Sequence, residues 1–186
     1  MARGTPQPRS GLTRISAVIA TAVAAIAIVA SVPGPARGTA PPSSQDNLYA
    51  RAATQAGVPL DLLVAIAGAE SGYHPWALNV AGRQIYCHSR TEAEQILARD
   101  DRVAIGLMQI NWRFWGPRIG LSKAQLLDPA TNLIYGARIL KEGLRRDGNV
   151  WHGISNYHSG SLERRDKYNR LVYDHYLRYL RGDRNQ

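Results

Sequence analysis

The stretch Leu60-Asp-Leu-Leu-Val-Ala-Ile-Ala-Gly-Ala-Glu-Ser71 decides how this chain is read, because an almost unbroken apolar run ends there on a carboxylate. Pro59 can open a helix at its first turn, where a missing N–H costs nothing, and Gly72 can end it. The run therefore predicts a buried helix with Glu70 in its last turn. Carbonyls without helical partners make that end the negative pole of the helix, and apolar surroundings disfavour a charge further. Both effects push the carboxyl pKa upward. A carboxyl still protonated near neutral pH is what a general acid needs in order to protonate a leaving oxygen.

Two later stretches complete a one-acid active site. Gly106-Leu-Met-Gln-Ile-Asn111 is an uncharged run of turn and strand character, and Asn156-Tyr-His-Ser-Gly160 is a small-residue loop presenting one tyrosine. With Glu70-Ser-Gly-Tyr-His-Pro75 and an asparagine at Asn132 read as lying before a helix, this ordered set resembles the lytic transglycosylases of the soluble, lysozyme-like type, which cut peptidoglycan between N-acetylmuramic acid and N-acetylglucosamine. The resemblance runs from about Leu48 to Tyr179. It implies a mainly α, lysozyme-like α+β fold, two-lobed, with a small β region beside the cleft. It also implies that Glu70 is the catalytic acid and base and that Ser71 supports the site. Gly106, Leu107, Met108, Gln109 and Asn111 then bind or support the glycan, with Met108 and Gln109 lining the sugar groove, and Tyr157 hydrogen-bonds the glutamate. No metal or cofactor is implied.

The mechanism that comes with this resemblance uses one protein carboxyl. Glu70 protonates the glycosidic oxygen, the substrate acetamido group helps stabilise the positive sugar centre, and Glu70 then acts as base while the muramyl 6-hydroxyl attacks, giving a 1,6-anhydro sugar. The late motif departs from the family pattern Ala-Tyr-Asn-x-Gly, keeping its tyrosine and glycine. The segment between Glu70 and Gly106 is longer than usual for the family. In this the chain looks like the small specialised transglycosylases that accompany conjugation and type IV secretion systems, which implies peptidoglycan strands and secretion or conjugation proteins as partners. A lysozyme-like muramidase and a non-catalytic peptidoglycan-binding adaptor are the competing readings.

The amino-terminal segment reads as an export signal. Arg3, Arg9 and Arg14 precede an uncharged apolar run from Ile15 to Val32, followed by Pro33-Gly-Pro-Ala-Arg-Gly-Thr-Ala40, the order of a signal peptide. Residues 1–38 are thus a signal peptide or, uncleaved, a membrane anchor, residues 39–46 a linker and residues 47–182 the catalytic domain, placed in the periplasm. Removing the leader takes away four arginines and lowers the formal charge from +9 to +5. A basic remainder attracts an anionic polymer such as the wall with its stem peptides. Arg145-Arg146 and Arg164-Arg165 are only doublets, without a nucleic-acid-binding motif, so nucleic acid is not expected as a partner. A single cysteine, Cys87, excludes an intramolecular disulfide and assigns stability to packing.

The rest predicts helices. Leu48, Ala52 and Ala53 share a face before Gly57, Thr91-Glu-Ala-Glu94 has capping-box spacing, and a helix follows Asp128-Pro129 with Leu133, Ala137, Leu140 and Leu144 on one side. The last helix repeats Tyr168, Leu171, Val172, Tyr176, Tyr179 and Leu180, tyrosines read as core. Val80 to Tyr86 and Ala104 to Ile110 are short-strand candidates. The five histidines include no pair at the i, i+4 spacing of a helical zinc motif. Ser71 lacks the Gly-x-Ser-x-Gly elbow of a serine hydrolase. Trp112 and Trp115, following Gln109, are the tryptophans placed to stack on sugar.

Overall fold

A computed structural model describes residues 44–147, 150, 154 and 162–183. The leader, Trp151, His152 and the whole late motif, including Tyr157 and His158, lie outside the described residues. Helix α1 (Ser44–Ala56) stops at Gly57 and α2 (Leu60–Ser71) begins after Pro59, both where the breakers predict. Gly72 adopts the left-handed conformation and donates its N–H back to the Gly68 carbonyl, which closes α2. From Leu62 to Gly68 every residue of α2 is buried. A helix apolar on all sides can only be a core helix.

The chain then builds a four-stranded antiparallel sheet from β1 (Ala77–Val80), β2 (Arg83–Tyr86), β3 (Val103–Ile105) and β4 (Ile110–Asn111), in the order β2-β1-β3-β4. Two strand candidates are corrected here. Val80 to Tyr86 is not one strand, because Ala81 and Gly82 both take positive φ and turn the chain back as a two-residue hairpin. Ala104 to Ile110 is likewise divided by the loop Gly106–Gln109 into β3 and β4.

Helix α3 (Arg90–Leu97) lies between β2 and β3. Its cap is two residues earlier than the Thr91–Glu94 spacing predicts: Ser89 Oγ accepts from the Glu92 N–H, and Glu92 accepts from the His88 N–H at 2.8 Å. After β4 come α4 (Trp112–Ile119), α5 (Lys123–Leu126), α6 (Pro129–Asp147) and α7 (Leu162–Arg181). Asp128 Oδ1 accepts from the Thr131 N–H at 2.8 Å and so starts α6 as read. Helix α1 packs on α6 and α2 on α7. Leu63, Ile66, Leu133, Leu140 and Val172 are fully buried in the shared core, and Cys87 is buried with them, a packing residue.

Candidate active site

Glu70 is positioned by the crossing of α2 with α7, which run in opposite directions. At one end Tyr176 reaches Asp61, and burial together with that carboxylate pushes the tyrosine up to about 12. In the middle, a Cβ on Gly68 would lie 2.5 Å from both His175 Nδ1 and Tyr73 Oη. Only glycine lets α7 come this close. At the other end Tyr168 Oη donates to Glu70 Oε1 at 2.6 Å, the short distance of a strong hydroxyl–carboxylate bond. Glu70 keeps part of its surface on the cleft, yet its surroundings displace most water from the carboxyl. This burial raises its pKa from 4.5 to about 7, and the Tyr168 hydrogen bond, which favours the ionised form, holds it from going higher.

Tyr168→Phe removes only that hydroxyl. The acid form of Glu70 becomes relatively more stable, so the fall of rate with rising pH, expected around pH 7 in the parent, moves to higher pH. The base step loses a hydrogen bond to its charged form, and the rate should drop roughly ten- to hundredfold. A pH–rate series on purified sacculi reads both effects; an unmoved limb and rate would remove Tyr168 from the site.

The loop Gly106–Gln109 is clamped from below by Asn132. That residue lies inside the first turn of α6, not before it as read, and is fully buried. Its Oδ1 accepts from the Met108 N–H at 2.8 Å, and its Nδ2 donates to the carbonyls of Ile105 at 2.8 Å and Leu126 at 2.9 Å. Gly106 has φ +77, and a Cβ there would lie 2.4 Å from Asn132 Nδ2, so the loop has room for no other residue. Gln109 is held at φ +43, an uncommon conformation for a side chain of its kind. Its Nε2 donates to Ala77 O at 3.0 Å and Gly106 O at 2.9 Å. With both hydrogens engaged, its Oε1 is the atom left to accept from a ligand.

A cavity of about 560 Å³ opens beside Glu70. The cross-strand row Gln84–Asn79–Ala104–Asn111, one residue from each strand, forms one wall of it. Arg164, Lys167, Tyr168 and Leu171 of α7, spaced along a single helical face, form another, and Gln109 and Ala69 also line it. Glu70 is the sole carboxyl among the described residues that line the cavity.

The expected site residues fall into two groups. Glu70, Gln109 and Asn111 line the cavity, Asn111 also capping α4 by accepting from the Phe114 N–H. Met108 does not line the groove: it is fully buried, with its side chain lying on Gly136. Leu107 and Gly106 are buried too. Ser71 is 1% exposed and donates to the Ala67 carbonyl at 3.0 Å, which supports the end of α2 from behind. Trp112 and Trp115 are not among the described lining residues; Trp112 packs on Gly116 and Trp115 stands edge-on to Phe114. Leu171, from the apolar side of the last helix, is 43% exposed in the cavity wall. Tyr168 is core and site together. Asn79, Gln84, Arg164 and Lys167 were missed. The helical stripe containing Tyr168 and Leu171 held a signal for the last two, one turn and one residue before the tyrosine, while the strand residues gave none. No group of three or more histidine, cysteine or acidic side chains among the described residues is arranged to hold a metal.

The family model of the transglycosylase SLT domain matches residues 47–174. The chain belongs to the transglycosylase SLT domain family. The SLT-family core accounts for the lysozyme-like combination of helices with a small antiparallel sheet. Among curated relatives, "Type IV secretion system protein virB1" of Brucella suis biovar 1 is 32% identical over 90 residues, covering 45% of this chain and 37% of that protein. "Protein IpgF" of Shigella sonnei is 31% identical over 143 residues, covering 73% and 80%. "Invasion protein IagB" of Salmonella typhimurium is 32% identical over 130 residues, covering 66% and 69%. The match thus spans little more than a third of the length of the Brucella protein. No solved structure matches the chain.

Proposed function

We propose that this SLT-family chain is a peptidoglycan lytic transglycosylase that cleaves the β-1,4 bond between N-acetylmuramic acid and N-acetylglucosamine and leaves a 1,6-anhydro-muramyl end. The observation that carries the reading is the cleft carboxyl of Glu70, the sole one among the described lining residues, whose pKa of about 7 lets it hold a proton near neutrality and also give it up. As acid it protonates the leaving glycosidic oxygen. Tyr168, donating to Oε1, then stabilises the carboxylate that forms. As base the carboxylate takes the proton of the muramyl 6-hydroxyl, which closes on the anomeric carbon of its own sugar. A retaining hydrolase of the common kind needs a second carboxylate about 5 Å away. With Glu70 the sole carboxyl among the described lining residues, the substrate acetamido group is the natural source of the missing stabilisation.

The relatives named for a secretion system and for invasion support a role in opening the wall locally for a secretion or conjugation apparatus. The leader supports export to the periplasm.

Product chemistry tests the reading. Digests of purified peptidoglycan should contain anhydro-muropeptides, one water lighter than the hydrolytic products and not reducible by borohydride. Reducing-end species dominating from the earliest time point would make the chain a muramidase.

A further inference from the structure

Tyr86 is 54% exposed, the most open large apolar side chain among the described residues, and its place in the sheet gives that exposure a direction. In the register of β1 with β2, Asn79 pairs with Gln84 and Ala77 with Tyr86. Residues two apart on a strand share a face, and partners across an antiparallel pair share it too. Asn79 Nδ2 accordingly donates to Gln84 Oε1 at 3.4 Å. Tyr86 therefore stands on the face of the sheet that carries the cleft row Gln84–Asn79–Ala104–Asn111, two residues and roughly 7 Å past Gln84 along the outer strand. The opposite face, with Leu78 and Ile85, packs on the core.

The ring is held. His74 packs against it, the ring centroids 5.4 Å apart and the planes tilted by 59°. His74 is in turn tied on both sides: its N–H donates to the Ser71 carbonyl at 3.1 Å, and its carbonyl accepts from the Ala77 N–H at 3.3 Å. The residue after Tyr86 is tied as well, the Cys87 N–H donating to the Trp76 carbonyl at 3.4 Å. The prop against Tyr86 thus belongs to the short connection between Glu70 and β1, so one segment sets the position of both the acid and the aromatic pair.

The carboxamides of Gln84, Asn79 and Asn111 offer donors and acceptors to hydroxyl and acetamido groups. With strands about 4.8 Å apart, their row extends over roughly 14 Å, the length of a few pyranose rings. A pyranose also has faces made of C–H bonds, and these can pack on the negative face of an aromatic ring. A strand lying on the row and continuing past β2 brings its next sugar to Tyr86. A ring already held in place loses little freedom when it is covered. Tyr86 lies in the segment between Glu70 and Gly106 that is longer than usual for the family, outside the motifs that carry the resemblance.

Resting on the transglycosylase reading, we propose that Tyr86, propped by His74, is a stacking platform for a sugar of the glycan strand beyond the end of the cleft, so that the enzyme favours long strands over short fragments. The carboxamide row takes the sugars nearest the cut, and the aromatic ring takes the one past them.

Binding tests this independently of turnover. The full chain carrying Glu70→Gln is titrated with the dimer and the hexamer of β-1,4-linked N-acetylglucosamine, which are neutral and carry no peptide. The hexamer should bind the more tightly. Adding Tyr86→Ala should weaken the hexamer roughly five- to tenfold, the scale of one lost aromatic contact, and leave the dimer unchanged. Tyr86→Phe should keep the hexamer affinity, because stacking uses the ring and not the hydroxyl, and His74→Ala should lose part of it. A hexamer that binds no more tightly than the dimer, a hexamer affinity that Tyr86→Ala leaves in place, or an equal loss for both oligomers would overturn the platform. The product assay with the parent chain decides the enzymatic reading separately, since these affinities are measured whether or not the parent cuts.

Discussion

Glu70→Gln should lower the rate of sacculus clearing by roughly 10² to 10⁴, the scale of a positioned acid–base group, and should at the same time make the protein more stable at neutral and alkaline pH. The first effect follows because the amide keeps the volume of the side chain but has no proton to give and no basic oxygen to take one back. The second follows from linkage. Glu70 has a folded pKa of about 7 against 4.5 for the free group. Its contribution to stability is full below about pH 4.5 and is lost as pH rises through about 7, where the folded protein must accept a buried charge. That rise corresponds to about 3 kcal/mol of lost stability above pH 8, with Tyr168 already offsetting part of the cost. Glutamine carries no such burden. Urea unfolding at pH 5 and pH 8 should show the parent losing stability relative to the variant between the two, the variant keeping only the gain that the half-buried His175, with its lowered pKa, makes as pH rises. A variant with near-parental clearing of sacculi would end the assignment, and one with parental pH dependence of stability would show that the carboxyl is not buried.

Asn132→Leu should cost about 3–5 kcal/mol of stability. Three backbone groups depend on this one carboxamide: the Met108 N–H and the carbonyls of Ile105 and Leu126. Leucine fills similar space but leaves all three buried without that partner, at about 1–3 kcal/mol each before local relaxation. Activity should fall with stability, because the same bond to Met108 fixes the loop whose next residue, Gln109, faces the cleft. The urea midpoint and the rate, both measured below the unfolding transition, check the two effects. A stable, fully active Asn132→Leu protein would show that the loop is held by packing alone.

What could be read in the sequence was whatever local chemistry determines. Pro59, Gly57, Gly72 and Asp128 set helix ends through their own backbone preferences, so α1, α2 and the start of α6 fall where those residues place them. The family motifs located Glu70 and the Gly106 loop. What the sequence left hidden depends on register and crossing. Asn79, Gln84, Ala104 and Asn111 are separated along the chain and share a row only once the strands pair. Tyr168 could be seen as a buried residue of a periodic helix, but its hydroxyl meets Glu70 across 98 residues, a relation that no spacing encodes. Met108 erred in the other direction: it sits beside Gln109 in the motif, yet adjacent residues of a tight loop face opposite ways, and its side chain packs on α6. Cap placement at α3 failed for a smaller reason. Ser89 and Glu92 offered the same pattern as Thr91 and Glu94, and the earlier pair won.

The acid and its tyrosine belong to the second and the last helices described here, and this has a consequence in time. A ribosome releases α2 roughly ninety residues before the start of α7 and about a hundred before its C-terminal half. Until that last helix docks against Gly68, Glu70 has neither its cover nor its hydrogen bond and is an ordinary surface carboxylate, ionised at neutral pH and useless as an acid. Catalytic competence is therefore the final property the nascent chain acquires, and a prematurely terminated product would be inert toward the wall rather than partly active.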